Sequence, residues 1–538
     1  MSSTSTRLIR LLNRGFYPVE LPPPFQTKRF DDVRASFTPG QGYVGSTTFF
    51  DGATFRGSLR TFGVINPANY MVLSKFIAEN WGNITRVFDL SACSGARPKF
   101  PSLTAKGRAI DSTSLATKRR SQRHLASVYP VVVSLDINRF YGSIYTHSIP
   151  WAVLGKEEAK RRHHSKSLST HWSAKLDVLT RNCNQQQTVG VPIGPDVSRI
   201  ISEMILSRID YEISSTSSMH FSQIYHSIDD YQFGVFNVSE AESAQSAFVK
   251  SISRYEFRIN DFKTSVDQGL AFSPSNFQCY FDVLDGKTGR GFVEHFFEIL
   301  YDRIPAYSDE NVLGYALKRF SKRLAHNRER ELVREYLQRL LFAIPHQARW
   351  ILPILLGIYK ARPSSLEAKH FISWGIETSS RRNDVGSLLW YLYSAMFLEI
   401  KLGREICSFC IEMSNELVDL MLYHGRKKSL FSFPVTLLRK RYKDSDFSSP
   451  AWLPLYEIER HGWDTSRSFR KIGGADDRGG LYQHLRINRV QFYSIDADAF
   501  DVAAFDGWNL TAADFNDQWI AGQPLDHLQA GDWDDYGF

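Results

Sequence analysis

The chain has 538 residues, 43% hydrophobic and 14% aromatic, which is material for about two to four domains with packed cores and too apolar for a disordered or fibrous protein. Its net charge of +8 hides an asymmetry: residues 496–538 hold ten Asp and no Lys, Arg or Glu, so the rest of the chain carries an excess of 18 positive charges. The longest uncharged apolar run, 385–398, falls short of the roughly 20 residues that span a bilayer, and the first residues lack an apolar run of signal-peptide length. Five scattered cysteines are an odd set, so the expectation is a non-secreted, cytoplasmic chain with reduced thiols and no membrane partner. Cys407 and Cys410 stand inside a helical pattern and read as core packing.

In chain order, residues 1–65 read as an irregular N-terminal arm, because aromatics alternate with breakers in LPPPF (Leu21 to Phe25) and PGQGY (Pro39 to Tyr43). Tyr70, Leu73, Phe76 and Ile77 predict a helix over about 66–80. Residues 99–110 read as a polar hairpin with Lys106, Gly107 and Arg108 at its tip. Cations cluster at Arg97, Lys99, Lys106 and Arg108, again at Lys118, Arg119, Arg120 and Arg123, and again at Lys156, Lys160, Arg161, Arg162 and Lys166. Clustered cations along a path suit a polyanion such as nucleic acid, with a solvated basic surface as the alternative.

Val131 to Leu135 is a β-branched run bounded by Pro130, the pattern of a buried strand ending at Asp136. Gly190 to Pro195 (GVPIGP) is a turn that feeds an amphipathic helix carrying Val197, Ile200, Ile201, Met204, Ile205 and Ile209. Gln223 to Val235 alternates apolar residues around Asp229 and Asp230, as a hairpin does with two carboxylates at its turn. Beyond 291, stripes such as Leu313, Leu317, Phe320, Leu324 and Val333, Leu337, Leu340, Ile344 predict successive helices. These are HEAT-like in shape or an ordinary bundle. Residues 466–538 read as a small module or a flexible appendage ending in the acidic tail.

Asp136 ends one strand and Asp229 and Asp230 sit at a turn 93 residues later. Singly, each reads as a turn or solvated residue. If the strands pair, the carboxylates converge at one sheet edge, where like charges are tolerated chiefly around divalent cations. Two Mg²⁺ ions held there would activate an attacking hydroxyl and stabilise a leaving phosphate oxygen, the requirement of nucleotidyl transfer.

In four places, in order and at matching spacing, the residues resemble the reverse transcriptase palm. Ser134-Leu-Asp136-Ile-Asn-Arg-Phe140-Tyr141 looks like polymerase motif A, and Gly190-Val-Pro-Ile-Gly-Pro195 like motif B. Ser227-Ile-Asp229-Asp230 looks like motif C and Phe257-Arg-Ile-Asn260-Asp-Phe-Lys263-Thr264 like motif D. More narrowly, Tyr145-Thr-His-Ser-Ile-Pro-Trp151, the motif B form running on to Arg199, the LPPPF arm and the helical C-terminal region resemble the bacterial abortive-infection reverse transcriptases of antiphage defence.

That resemblance implies an α+β fold: fingers and palm over 66–290, an all-α helical-repeat domain over 291–465, and a C-terminal segment over 466–538. It implies DNA polymerisation from dNTPs, in some members template-independent and primed from a protein hydroxyl, by homo-oligomers. A DNA product covalently attached to the protein and an RNA template are both partners consistent with it.

By motif, Asp136, Asp229 and Asp230 are the catalytic carboxylates, and with the Ile137 carbonyl they are the ligands of two Mg²⁺ ions, or of Mn²⁺. Tyr141, five residues after Asp136, holds the steric-gate position that disfavours a ribose 2′-OH. Arg108 and Lys106 are placed to grip the triphosphate, Lys263 to protonate or pair with pyrophosphate, and Gly190 and Gly194 to admit the nascent base pair. Tyr43 is a candidate protein primer by its place in the arm.

Departures are Ser227 where reverse transcriptases commonly place Tyr, and Val189 where retroviral enzymes place Gln. No recognisable thumb follows motif D, and no maturase, integrase or endonuclease signature follows. An altered template requirement fits these departures. The alternatives are a conventional RNA-templated reverse transcriptase and a catalytically idle nucleic-acid-binding scaffold. The acidic tail reads either as a nucleic-acid mimic for the basic cleft or as a subunit contact or solubilising end.

Overall fold

The computed structural model describes residues 3–34, 40, 42–105, 107–111, 115–162, 166–217, 219–272, 276–308, 310–361, 365–474, 477 and 480–495. Lys106 and the whole acidic tail lie outside the described residues.

The N-terminal region is more regular than its composition suggests. Helix α1 (Thr4–Arg14) starts where the Ser3 hydroxyl accepts from the Thr6 amide at 3.1 Å, and it buries Leu8, Leu11 and Leu12. Strands β1 (Thr48–Ala53) and β2 (Leu59–Val64) pair antiparallel with Thr48 opposite Val64. The expected irregular arm is corrected in this respect. The breakers Pro22 to Pro24 separate the elements and do not prevent them. Helix α2 (Pro67–Glu79) forms where the spacing predicts it, with the Asn66 side chain accepting from the Ala68 amide.

A four-stranded antiparallel sheet forms the centre. Strand β3 (Val131–Asp136) lies between β5 (Asp230–Val235) and β6 (Ser265–Gln268), and β4 (Ile224–Ser227) completes the order β4-β5-β3-β6. Val131, Val132 and Val133 are all buried, so the run is covered on both faces, which is why it is continuously β-branched. One cover is helix α4 (Asp196–Thr216), whose Ile200, Ile201, Ile205 and Ile209 lie in the core; it packs against helix α5 (Val238–Ser253). Helix α3 (Leu115–Val128) lies against β3, β4 and β5 and carries the second basic cluster.

The C-terminal half is helical: α6 (Gly289–Ala306), α7 (Val312–Ala325), α8 (Arg330–Ala343), α9 (Ala348–Ala361), α10 (Ser365–Arg381), α11 (Val385–Phe397), α12 (Arg404–Glu412), α13 (Glu416–Lys427) and α14 (Trp452–Arg460). From α7, every second helix packs on the last, α7 on α9, α9 on α11, α11 on α13 and α13 on α14, the layering of a helical array. The array is joined to the fingers through β1 and α11, where Asp384 accepts from the Ala53 amide at 3.2 Å and caps α11 at Ser387. Cys407 and Cys410 are buried free thiols. Among the described residues, no helix is long and apolar enough to cross a membrane.

Residues 466–495 are not an appendage. Gln491 bridges Lys28, the Tyr17 hydroxyl donates to the Phe492 carbonyl at 2.7 Å, and the Ser494 amide donates to Pro24 at 2.8 Å. Phe16, Phe30, Trp452 and Phe492 form one edge-to-face cluster across this seam.

Candidate active site

Antiparallel register sets Asp136 directly opposite Asp230, and Ser227 opposite Asp230 on the other side. Between Ser227 and Asp230 the chain reverses in two residues, Ile228 and Asp229. Ile228 takes φ +58°, a conformation a β-branched side chain rarely adopts, and its side chain is buried. Strain of this kind persists where packing over-determines it. The Ile137 amide donates to the Asp229 carbonyl at 3.2 Å, stitching the turn to the end of β3. As a result, carboxylate oxygens of Asp136, Asp229 and Asp230 lie within 4.8 Å of one another.

The surroundings are arranged around that charge. Asn260 donates to Asp136 Oδ1 at 3.0 Å and the Lys263 ammonium lies 2.6 Å from Oδ2. Lys118 reaches Asp230 at 3.5 Å from α3. Arg60, exposed on β2, is near enough for its charge to favour the Asp229 carboxylate. Burial pushes Asp229 up to about 7, with the neighbouring Asp230 and Asp136 adding to the effect. Burial likewise raises Asp136, against the pull of Lys263. For Asp230 burial is outweighed by Lys118 and Lys263, which hold it below the ordinary carboxylate range. The hydrogen bond to Asp136 and the field of the carboxylates keep Lys263 protonated despite its own desolvation.

These shifts set a pH dependence. A carboxyl whose folded pKa is raised contributes stability below its unfolded value, and loses it as pH rises through the folded value. For Asp229 that window runs from about 4 to about 7, and Asp136 moves the same way. Asp230 is depressed, so its contribution is constant across this window. Thermal unfolding in chelator should therefore show wild type losing stability relative to Asp229→Asn between about pH 5 and pH 7.5, with Mg²⁺ restoring it. Parallel pH profiles for the two proteins would contradict the electrostatic account.

Other expected site residues are placed differently. Arg108 is not on an exposed tip. Its side chain is buried, donating to Asp196 Oδ1 at 3.0 and 2.6 Å, to the Tyr17 carbonyl at 2.5 Å and to the Gly194 carbonyl at 2.5 Å. The described part of 99–110 contains no strand, so the expected hairpin is corrected. Arg10 of α1 gathers it instead, donating to Ser102, Ala105 and Ala109 carbonyls at 2.8, 2.9 and 3.1 Å.

Gly194 has φ +119°, and a Cβ there would lie 2.4 Å from Pro18 Cγ. Its need for glycine comes from the N-terminal region, a correction to the nascent-base-pair reading. Gly190, with φ +91°, lets its amide reach the Ile144 carbonyl at 2.9 Å. The half-buried Tyr141 ring lies beside Phe140, and its hydroxyl accepts from Ser202 at 3.4 Å. Tyr43 is packed against the core, and its hydroxyl donates to the Phe447 carbonyl at 3.3 Å, so the description of a loose arm residue is corrected.

Sequence reasoning missed Asn260 as an orienting residue although it stands in the motif D segment, and missed Lys118 and Arg60 as partners of the triad. Lys118 was visible only as one cation of a cluster. Arg60 follows from the β1–β2 pairing and has no local signal.

No family model matches the sequence, and no curated protein matches it. Solved structures similar to the chain include apo telomerase from Candida tropicalis, at 10% identity and TM-score 0.32, over 72% of this chain and 69% of that one. Telomerase from Candida albicans with the TWJ fragment of telomeric RNA is similar at 10% identity and TM-score 0.30, over 65% of this chain and 66% of that one. The corresponding Candida tropicalis complex gives 12% identity and TM-score 0.30, over 66% and 60%. The chain thus spans roughly two thirds of each.

Proposed function

We propose that the chain is a nucleotidyltransferase of the reverse transcriptase type, adding dNTPs to a DNA product in bacterial antiphage defence. One observation carries the reading: three carboxylates from two paired strands, held within 4.8 Å of one another at a strained turn. An all-oxygen, acidic donor set suits hard divalent cations, and the raised pKa of Asp229 is the cost of that set without them. Two Mg²⁺ or Mn²⁺ ions, when bound, would supply an activated hydroxyl and stabilise the departing phosphate oxygen.

The chain's own residues position and neutralise. Asp136, Asp229, Asp230 and the Ile137 carbonyl supply ligand oxygens, and Asn260 fixes the Asp136 carboxylate. Lys263 holds its proton beside Asp136, where it can be passed to leaving pyrophosphate. With Arg108 buried, Arg60, Lys118 and Lys263 are the cations that take the triphosphate charge.

Tyr141 stands between the motif A and motif B segments, its carbonyl accepting from the Val191 amide at 2.9 Å, and acts as the gate against a 2′-OH. Tyr141→Ala is expected to raise rNTP use relative to dNTP by about tenfold or more, since steric discrimination in a pocket contributes about 1–3 kcal/mol. Competition between labelled dNTP and rNTP measures it, and an unchanged ratio removes the gate.

The exposed Val189 and buried Ser227 favour an altered template requirement, hence protein-primed synthesis by a homo-oligomer. Tyr43, donating its hydroxyl to Phe447, must leave that contact to serve as primer. The test is incubation of purified protein with Mg²⁺ and each labelled dNTP, without nucleic acid, and denaturing gels before and after protease, with Asp229→Ala as control. Label that stays on the protein and vanishes in the variant supports protein priming. Label that requires RNA and a primer supports templated reverse transcription, and no label in either case leaves a nucleic-acid-binding scaffold.

A further inference from the structure

Behind the β4–β5 hairpin, a second set of ligating atoms is gathered in the interior. Cys93 Sγ, an Asp210 carboxylate oxygen and a His226 ring nitrogen lie within 4.8 Å of one another, and all three residues are buried. They come from separate segments: the 91–96 stretch, helix α4 and strand β4. That stretch runs alongside β4, with the His226 amide donating to Cys93 at 3.2 Å and the Gly95 amide donating to His226 at 2.8 Å.

The imidazole's geometry is informative. His226 Nδ1 is 2.9 Å from Asp210 Oδ2 and Nε2 is 3.7 Å from Glu203 Oε1, yet neither nitrogen meets the directional requirement of a hydrogen bond. A fully buried ring so placed forfeits hydrogen bonding it would have in water. Sulfur, nitrogen and oxygen donors that crowd together without aligned hydrogens are disposed as ligands about a common centre.

We propose that Cys93, Asp210 and His226 bind a structural zinc ion, with Cys93 Sγ, an Asp210 oxygen and His226 Nδ1 as ligands. The mixed sulfur, nitrogen and oxygen set is one zinc accepts. Glu203 faces the far ring nitrogen, the position from which a carboxylate fixes a ligating imidazole. Ser91 Oγ and the Tyr231 hydroxyl donate to Asp210 at 2.5 and 2.9 Å and set its orientation. Ser91 Oγ, 3.5 Å from the sulfur, stands beside the fourth position. On loading, the thiol proton and the second imidazole proton leave to solvent, so the ion's two charges replace two protons. The ion would join α4 and the 91–96 stretch to the strand that leads into Asp229, and its existence does not depend on the polymerase reading.

The test is metal analysis of the full-length protein, purified without chelators or metal resin. Stoichiometric zinc in wild type and in Asp229→Ala, and its loss in Cys93→Ser, is the expected result. Zinc lost in Asp229→Ala but kept in Cys93→Ser would assign it to the other carboxylates and overturn the proposal. Because Cys93→Ser can fold poorly, cobalt exchange into wild type provides a second readout: a thiolate-to-cobalt charge-transfer band, and a melting temperature that falls on chelation, are expected. Wild type that carries no zinc and takes up neither zinc nor cobalt, or binds cobalt without the thiolate band, overturns it and leaves an imidazolium held by two carboxylates.

Discussion

Asp229→Asn is expected to lower nucleotide incorporation by at least about 10³-fold, equivalent to about 4 kcal/mol of transition-state stabilisation, and to leave the protein at least as stable as wild type. Both halves follow from the same geometry. The carboxylate at 229 is held near Asp136 and Asp230, with burial and repulsion pushing it up to about 7, so a neutral isostere relieves the fold while removing a ligand oxygen. Residues whose removal stabilises a protein while ending its activity are retained for function. Three measurements suffice: incorporation of labelled dNTP, Mn²⁺ binding followed by its electron paramagnetic resonance signal, and melting temperature in chelator. Retained incorporation with weakened Mn²⁺ binding would place the chemistry elsewhere, and a large fall in melting temperature would make Asp229 structural.

Arg108→Met should have the opposite profile, a loss of about 3–5 kcal/mol in stability, because it leaves Asp196 as an uncompensated buried charge. The guanidinium also ties two carbonyls, Tyr17 and Gly194, while Asp196 accepts from the Ala109 and Ile110 amides at 2.9 and 3.3 Å. Three chain segments meet in this pair. The double variant Arg108→Met/Asp196→Leu is expected to cost less than the sum of the single changes, since no charge is then stranded. Denaturant unfolding of the four proteins gives the coupling. Were Arg108 a triphosphate ligand, its replacement would raise the dNTP KM at unchanged stability.

The two profiles also mark what sequence can carry. Asp136 and Asp229 are legible because each sits at a locally encoded break, a β-branched run that stops and a hairpin that turns, and strand register then brings them together. Arg108 is misleading for the converse reason. A cation beside a glycine in a polar stretch looks like a flexible tip, and the partners that bury it are 86 to 91 residues away. The Cys93, Asp210 and His226 cluster has a faint signal, an Asp following Ile205 and Ile209 in a helix of apolar pattern and a His within a strand whose four residues are all buried. A polar residue at such positions is a question the periodicity poses and only the packing answers. The helix at Thr4–Arg14 was hidden by its neighbours, since Pro-rich and Gly-rich stretches around it set the composition of the window.

The seam between residues 16–30 and 490–494 bears on how the chain is made. Tyr17 and Phe492 are 475 positions apart. At about 5–20 residues per second, a ribosome delivers the second roughly half a minute to a minute and a half after the first. During that interval Phe16, Tyr17, Phe25 and Phe30 have no partner from the far end, and the surface they share is a ready target for chaperones or for another nascent chain. The most distant contacts thus complete the first-made part of the molecule, and a ribosome that stalls within the helical array releases a protein whose beginning is unfinished.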